Sequence, residues 1–282
     1  MPSSAETCAD CWENFREVFA GRPLFRWLDL VSFSRFPWRR RRRAPAEERL
    51  VRLCKVLDYM DVTYPESNPE SALDELPPAE PPLRNGRMSL QALEFPLSFA
   101  GRIALLEGGF HPRLNVREFA AADLGQLPHY APEALVCPLN LALFLADQKQ
   151  RGLICLPSLS TAIVVLTRLD DSPLATHHRD LLWRAFGVPV FEQVLGWDGT
   201  VIARECEVHD GLHIAQSAAI LHLYDDELLV TQLTVFDEPL VRVRTGLNAE
   251  IVTGHCECGS QTPRLRNLMP MARKAASATG GD

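Results

Sequence analysis

Residues 138–166 read PLNLALFLADQKQRGLICLPSLSTAIVVL, and this stretch decides the fold class. From Pro138 to Gly152 apolar side chains recur at helical spacing, and Gly152 is placed to end the helix as a C-terminal cap. The aliphatic run from Ala162 to Leu166 is typical of a buried strand. A helix followed by a buried strand predicts that this part of the chain is α/β.

The same kinds of element continue on both sides of this stretch. Residues 102–106 predict a short buried strand ended by two glycines, and His178 to Phe186 predicts a second helix. From residue 200 onward strands dominate, and their alternation and turn residues predict an antiparallel sheet or small barrel. The strands predicted there are Thr200–Glu207, Ala218–Tyr224, Glu227–Leu233, Leu240–Arg244 and Ala249–Val252.

The first part of the chain is predicted to be a helical region. Residues 11–19 and 47–59 both place apolar side chains at intervals of three and four. Between them lie five consecutive arginines, Arg39–Arg43. They fit a phosphate or nucleic-acid patch, or a solvated loop or strip facing an acidic partner, and the acidic chain favours the second interpretation.

Residues 64–86 hold six prolines and five acidic residues. Such a composition predicts an extended surface linker and a domain boundary. The predicted domains are a helical region (1–63), this linker (64–86), an α/β subdomain (87–199), a β-rich subdomain (200–266) and a flexible tail (267–282).

Composition and charge indicate a soluble, cytoplasmic protein. The 282 residues are 46% hydrophobic and 23% charged, with a net charge of −7. The acidic balance argues against nucleic acid or anionic lipid as a partner. No aliphatic run approaches the roughly 20 residues of a membrane span, and the first residues do not resemble a signal peptide.

Two pairs stand out among the eight cysteines. Without an export signal, the C-x-C of Cys256 and Cys258 indicates a metal before a disulfide. Cys8 and Cys11 form a C-x-x-C that fits a redox pair, half of an intermolecular metal site, or one helical turn with two thiols. No strand precedes it, which favours the last. The thiols expected to be buried and inert are Cys54, Cys137 and Cys155.

Three further stretches occur in a specific order and spacing. They are GVPVF (187–191), ECEVHDGLHI (205–214), and a set running from ELLVT (227–231) through PLVRVRTG (239–246) to CECG (256–259) and Pro263-Arg264. Through them residues 130–266 resemble the phenylacetate–coenzyme A ligase family of the adenylate-forming superfamily. The resemblance implies a partial adenylate-forming-ligase-like fold, with an α/β sheet subdomain, a small antiparallel β-barrel-like subdomain and a helical N-terminal extension.

The chain departs from this family at the positions that handle the nucleotide. It lacks the Ser/Thr/Gly-rich loop that cradles the ATP phosphates. The family's Tyr-Gly-x-Thr-Glu falls on residues 195–199, where Asp198 is the available substitute for the glutamate. The family's Arg-Thr-Gly-Asp ends here in Leu247, which cannot bind the ribose hydroxyls. The chain also stops where the family's lid would begin. These losses imply a truncated, degenerate relative and count against ATP and coenzyme A as cofactors.

The resemblance places a structural zinc ion on Cys206, His213, Cys256 and Cys258. Cys₃His is a common donor set for a closed tetrahedral site, and no catalytic residue is singled out. The rival imidazoles are His209 and His255. The other interpretation is a group of reduced thiols in a buried barrel.

The first hypothesis is therefore a non-catalytic, zinc-stabilised binding or scaffolding protein. The alternative is an acid–CoA ligase or acyl-adenylate enzyme component that acts with a partner chain. A third, more distant interpretation is acyl transfer from a ready-made thioester. The expected partners are a full-length ligase or biosynthetic enzyme, and a small carboxylic acid or acyl group.

Overall fold

Two groups of strands, one parallel and one antiparallel, organise the chain. The computed structural model describes residues 45–65, 67–82, 101–106, 115–233 and 240–271, all within the compact unit Ala44–Asp282. The predictions for residues 8–19 and for Arg39–Arg43 lie outside the described residues.

The helices are α1 (Pro45–Tyr59), α2 (Ser71–Glu75), α3 (Leu127–Tyr130), α4 (Leu139–Gln150) and α5 (Thr176–Phe186), and a 3₁₀ helix spans Ala121–Gln126. The strands are β1 (Ile103–Leu106), β2 (Val116–Phe119), β3 (Ala134–Pro138), β4 (Ala162–Arg168), β5 (Val190–Leu195), β6 (Val201–Glu205), β7 (Leu212–Ile214), β8 (Ala219–Tyr224), β9 (Glu227–Gln232), β10 (Val243–Val252) and β11 (Arg264–Pro270).

The described strands form one 11-stranded sheet in the order β2-β1-β3-β4-β5-β6-β7-β11-β10-β9-β8. Neighbouring strands among β1 to β5 pair in parallel. All the pairings in the rest of the sheet, from β5–β6 to β9–β8 in sheet order, are antiparallel. The predicted mixed α/β class is confirmed. The predicted antiparallel strands are also present, and they continue the parallel ones in the same sheet.

Helices α4 and α5 cover one face of the parallel strands. Leu145 of α4 and Leu182 of α5 are buried in one cluster with Ile163 and Val165 of β4. The run from Ala162 to Leu166 is buried throughout. Continuous burial is the expected state of a parallel strand whose two faces are both covered.

The proline-rich segment buries more than its composition predicts. Residues 71–75 form α2, and Leu73 is fully buried against Leu53 and Leu57 of α1. The Arg242 guanidinium donates a hydrogen bond of 2.7 Å to the Leu73 carbonyl oxygen. The expectation of an extended surface segment is therefore wrong for this helix, because its two apolar residues, Ala72 and Leu73, are buried in that cluster. The other predicted domain boundaries stay predictions.

Three further sequence expectations need correction. In place of the two strands predicted at 240–244 and 249–252 the structure has one strand, β10 (Val243–Val252), whose pairing with β9 shifts register between Arg244 and Asn248. The predicted flexible tail begins too early, because β11 continues through Pro270. Of the three lone thiols, Cys137 is buried as expected, Cys54 is half-buried and Cys155 is exposed, because Cys155 lies in the loop after α4.

None of the helices in the described part of the chain is both long enough and apolar enough to cross a membrane.

Candidate metal centre

Cys206, His213, Cys256 and Cys258 come together from three places in the sheet. Cys206 directly follows β6, His213 lies in β7, and the C-x-C pair lies in the loop between β10 and β11. Strand β7 pairs with β6 on one side and with β11 on the other. This sheet order brings ligands about 50 residues apart in sequence to one point.

The four ligand atoms all lie within 4.8 Å of one another. The Sγ atoms of Cys206 and Cys256 are 3.9 Å apart, and Cys258 Sγ is 3.4 Å from His213 Nε2. A tetrahedral zinc ion with ordinary bond lengths has S···S edges of about 3.8 Å and S···N edges of about 3.6 Å. The donor set and these two distances therefore fit zinc.

A hydrogen-bond chain orients the His213 ring. Its Nδ1 lies 2.8 Å from Thr262 Oγ1, which in turn lies 2.9 Å from Ser260 Oγ. With Nδ1–H donating to Thr262, Nε2 is the free nitrogen that faces Cys258. Metal-binding histidines commonly use such a partner to fix the tautomer.

The surroundings change the pKa of each buried ligand. Burial raises the pKa of the Cys206 thiol to about 11. The backbone N–H of Cys258 donates to Cys256 and lowers the pKa of that thiol. Burial, with the nearby charge of Arg264, lowers the pKa of His213. These shifts favour a neutral His213 imidazole and a protonated Cys206 thiol, and a metal bound by Cys206 would displace that proton to solvent.

The structure places the two rival histidines outside this cluster. The His209 ring stacks on Phe191 with centroids 4.8 Å apart, and its Nδ1 lies 3.6 Å from Glu205 Oε2. His255 is exposed beside the buried Cys256. Sequence spacing alone did not decide which of the three histidines completes the metal site. In the structure, His213 is the one that lies with the three cysteines, because β7 pairs with β11.

The turn that joins Cys206 to His213 requires glycine at position 211. Gly211 has a φ of +87°, and a Cβ there would lie 2.6 Å from the Leu265 carbonyl oxygen of β11. The turn at Asp210-Gly211 therefore brings the chain into close approach with its neighbouring strand, β11.

We expect Gly211→Ala to destabilise the protein by about 3 kcal/mol, since it adds a backbone overlap to an unfavourable φ. Gly259→Ala is the matched control, because Gly259 has a φ of +89° and a Cβ added there would meet no atom within 4 Å. The control should cost about 1 kcal/mol. Urea unfolding measures both, and equal losses would contradict the close approach.

Residues 195–199 are held by Gln232, which the sequence did not single out. Asp198 Oδ1 accepts hydrogen bonds from Gln232 Nε2 at 2.6 Å and from the Thr200 N–H at 2.9 Å. Gln232 Oε1 accepts from the Trp197 N–H at 2.9 Å. The Gln232 side chain fills the space beside Gly196, where a Cβ would lie 2.3 Å from its Nε2.

A second site missed by sequence is a buried charged network beside the metal centre. Arg179, in the first turn of α5, donates to both Glu205 carboxylate oxygens at 2.9 and 2.7 Å. Glu192 accepts from the Thr167 hydroxyl at 2.8 Å and from the Leu174 N–H at 2.9 Å. The interacting residues lie in different helices and strands, so no local sequence motif predicts the network.

Glu192 should make stability depend on pH. Burial raises its pKa above the ordinary 4.5, so the folded chain binds more protons than the unfolded chain in this window. Stability from this group therefore falls as pH rises from about 4.5 through the raised pKa. We expect Glu192→Gln to remove that fall, because the amide does not titrate. Urea unfolding from about pH 4.5 to 8 tests this, and parallel pH profiles for both proteins would contradict it.

No protein-family model and no curated protein matches the chain. Among solved structures, an open conformation of 2-hydroxyisobutyryl-CoA ligase in complex with 2-HIB-AMP and CoA has a TM-score of 0.49 and 15% identity, over 58% of this chain and 44% of that one. The same ligase in the postadenylation state with R3-HIB-AMP gives 0.49 and 16%, over 58% and 42%. A mutant form of coronafacic acid ligase from Pectobacterium brasiliense gives 0.39 and 10%, over 61% and 40%.

The chain thus spans less than half the length of these ligases. The partial likeness concerns the arrangement of strands and helices and carries no argument about activity.

Proposed function

We propose that this chain is a zinc-stabilised, non-catalytic relative of the phenylacetate–coenzyme A ligase family that serves as a binding or scaffolding protein. The observation that carries the proposal is the convergence of Cys206, His213, Cys256 and Cys258 within 4.8 Å. Three thiolates and an imidazole would fill a tetrahedral zinc site and leave no open position for water or substrate. The ion would then join β6, β7 and the loop before β11 and contribute folding free energy.

The positions that the resemblance assigns to the nucleotide support the non-catalytic part of the proposal. Both carboxylate oxygens of Asp198 are engaged, one by Gln232 and both by Thr200. Leu247, at the position of the family's ribose-binding aspartate, is buried. Asp198 is thus engaged by neighbouring residues, and the apolar Leu247 side chain offers no acceptor to a ribose hydroxyl.

The partners and location form part of the same proposal. A scaffolding role implies a protein partner such as a full-length ligase or biosynthetic enzyme, and a binding role implies a small carboxylic acid or acyl group. A cytoplasmic location is proposed because thiolate ligands need a reducing compartment.

The deciding experiment combines metal analysis with nucleotide binding on the purified full chain. We expect one zinc ion per chain, no calorimetric response to ATP with Mg²⁺, and no exchange of pyrophosphate into ATP with aryl or acyl acids. A chain without zinc would overturn the metal centre. Magnesium-dependent ATP binding would overturn the non-catalytic role and favour the enzyme component that acts with a partner chain.

A further inference from the structure

Arg264 is a buried cation beside the candidate metal centre. It is the first residue of β11, only 3% exposed, and lies directly opposite His213 in the pairing of β11 with β7. Its guanidinium donates a hydrogen bond of 3.5 Å to the carbonyl oxygen of His255, the residue before Cys256. It therefore lies next to two of the four ligands.

Asp210 holds Arg264 in this position. The Asp210 carboxylate pairs with Arg264 through one oxygen and with Arg266 through the other. The two arginines and one carboxylate together carry a single positive charge. Asp210 lies in the turn between Cys206 and His213, so this group is fixed by the same loop that carries two of the ligands.

The metal centre needs such a charge. Three thiolates around one Zn²⁺ leave a single negative charge, and two of those thiolates, Cys206 and Cys256, are buried. A buried charge without a partner is strongly destabilising. The net positive charge of Arg264, Arg266 and Asp210 is equal in size and opposite in sign, and Arg264 is the buried member that lies opposite His213.

We propose that Arg264 is the counter-ion of the zinc–thiolate centre and a positioning residue that sets its metal affinity. The inference rests on the proposed zinc function. It adds that the affinity depends on a charge outside the four ligands, as outer partners of metal sites commonly change affinity by about 10–100-fold.

The test measures metal affinity in the full chain for wild type, Arg264→Gln, Arg264→Lys and the control Arg266→Gln. Zinc affinity is read by competition with a chromophoric chelator, and thiolate ligation by the charge-transfer absorption of the Co²⁺ form. We expect Arg264→Gln to weaken zinc binding by about 10–100-fold and Arg264→Lys to recover part of the loss. Arg266→Gln should change it less, because the Arg266 side chain is 37% exposed and water screens its charge, whereas that of Arg264 is 4% exposed.

Urea unfolding of the metal-free proteins accompanies these measurements, so that a general loss of folding is recognised. Unchanged zinc affinity in Arg264→Gln would overturn the counter-ion role. Equal losses in the glutamine and lysine variants would also overturn it, since charge would then not be the cause. A wild-type chain that binds neither Zn²⁺ nor Co²⁺ would overturn the zinc function itself, which separates the two failures.

Discussion

Cys256→Ser is expected to abolish zinc binding and to lower the free energy of unfolding by more than about 4 kcal/mol. Cys256 is fully buried, and its sulfur lies 3.9 Å from that of Cys206, a residue of a distant segment. Removing one thiolate opens the tetrahedral site and releases the tie between the two segments. Elemental analysis gives the zinc content, and urea unfolding with and without a chelator gives the stability.

Cys155→Ser is the matched control, because Cys155 is an exposed thiol outside the cluster. It should keep its zinc and its stability. The chelator should destabilise wild type and the control but leave Cys256→Ser unchanged. Equal zinc content in the two variants would contradict the assignment of Cys256 as a ligand.

Arg179→Met is expected to cost about 3–5 kcal/mol, because it leaves the Glu205 carboxylate buried without its cation. Arg179 donates to both Glu205 oxygens and, at 2.8 Å, to the Val190 carbonyl oxygen. It thereby joins α5 to both β5 and β6, where the parallel strands meet the antiparallel ones. Urea unfolding near neutral pH measures the loss.

The control is Arg151→Met on α4. Arg151 pairs with Asp147 one helical turn away, and their side chains are 65% and 44% exposed. An exposed pair of this kind contributes about 0.5 kcal/mol or less. If the two variants unfolded at the same urea concentration, the Arg179 network would have no special part in stability.

Sequence periodicity was sufficient to predict the helices and strands whose pattern of apolar residues is visible within a short stretch of sequence. The helix at 138–152, the strand at 162–166 and the helix at 178–186 all appear close to their predicted bounds. Asp225 and Asp226 both take the left-handed conformation in the tight β8–β9 hairpin, where Asp is a common turn residue. The four proposed ligands could be chosen from the spacing of cysteines and from the family resemblance.

Contacts between distant segments were not predictable in this way. Helix α2 forms in a proline-rich stretch because Leu73 is buried against α1 and Val241. In the sequence, Gln232 looks like an ordinary strand residue, and only the structure shows that its side-chain amide donates a hydrogen bond to Asp198. The pairing of Arg179 with Glu205 likewise depends on how α5 packs on the sheet. Each of these follows from tertiary packing, which overrides local propensity.

The place of β11 has a consequence for how the protein is made. This strand is the last described element in sequence, yet it lies between β7 and β10. Until it has left the ribosome, β1–β7 and β8–β10 cannot be joined into one sheet. Cys256 and Cys258 precede it, so the sheet and the proposed zinc site are both completed only after residues 256–270 have been synthesised. A nascent chain halted before residue 256 would expose the unpaired edges of β7 and β10, a hazard for aggregation during synthesis.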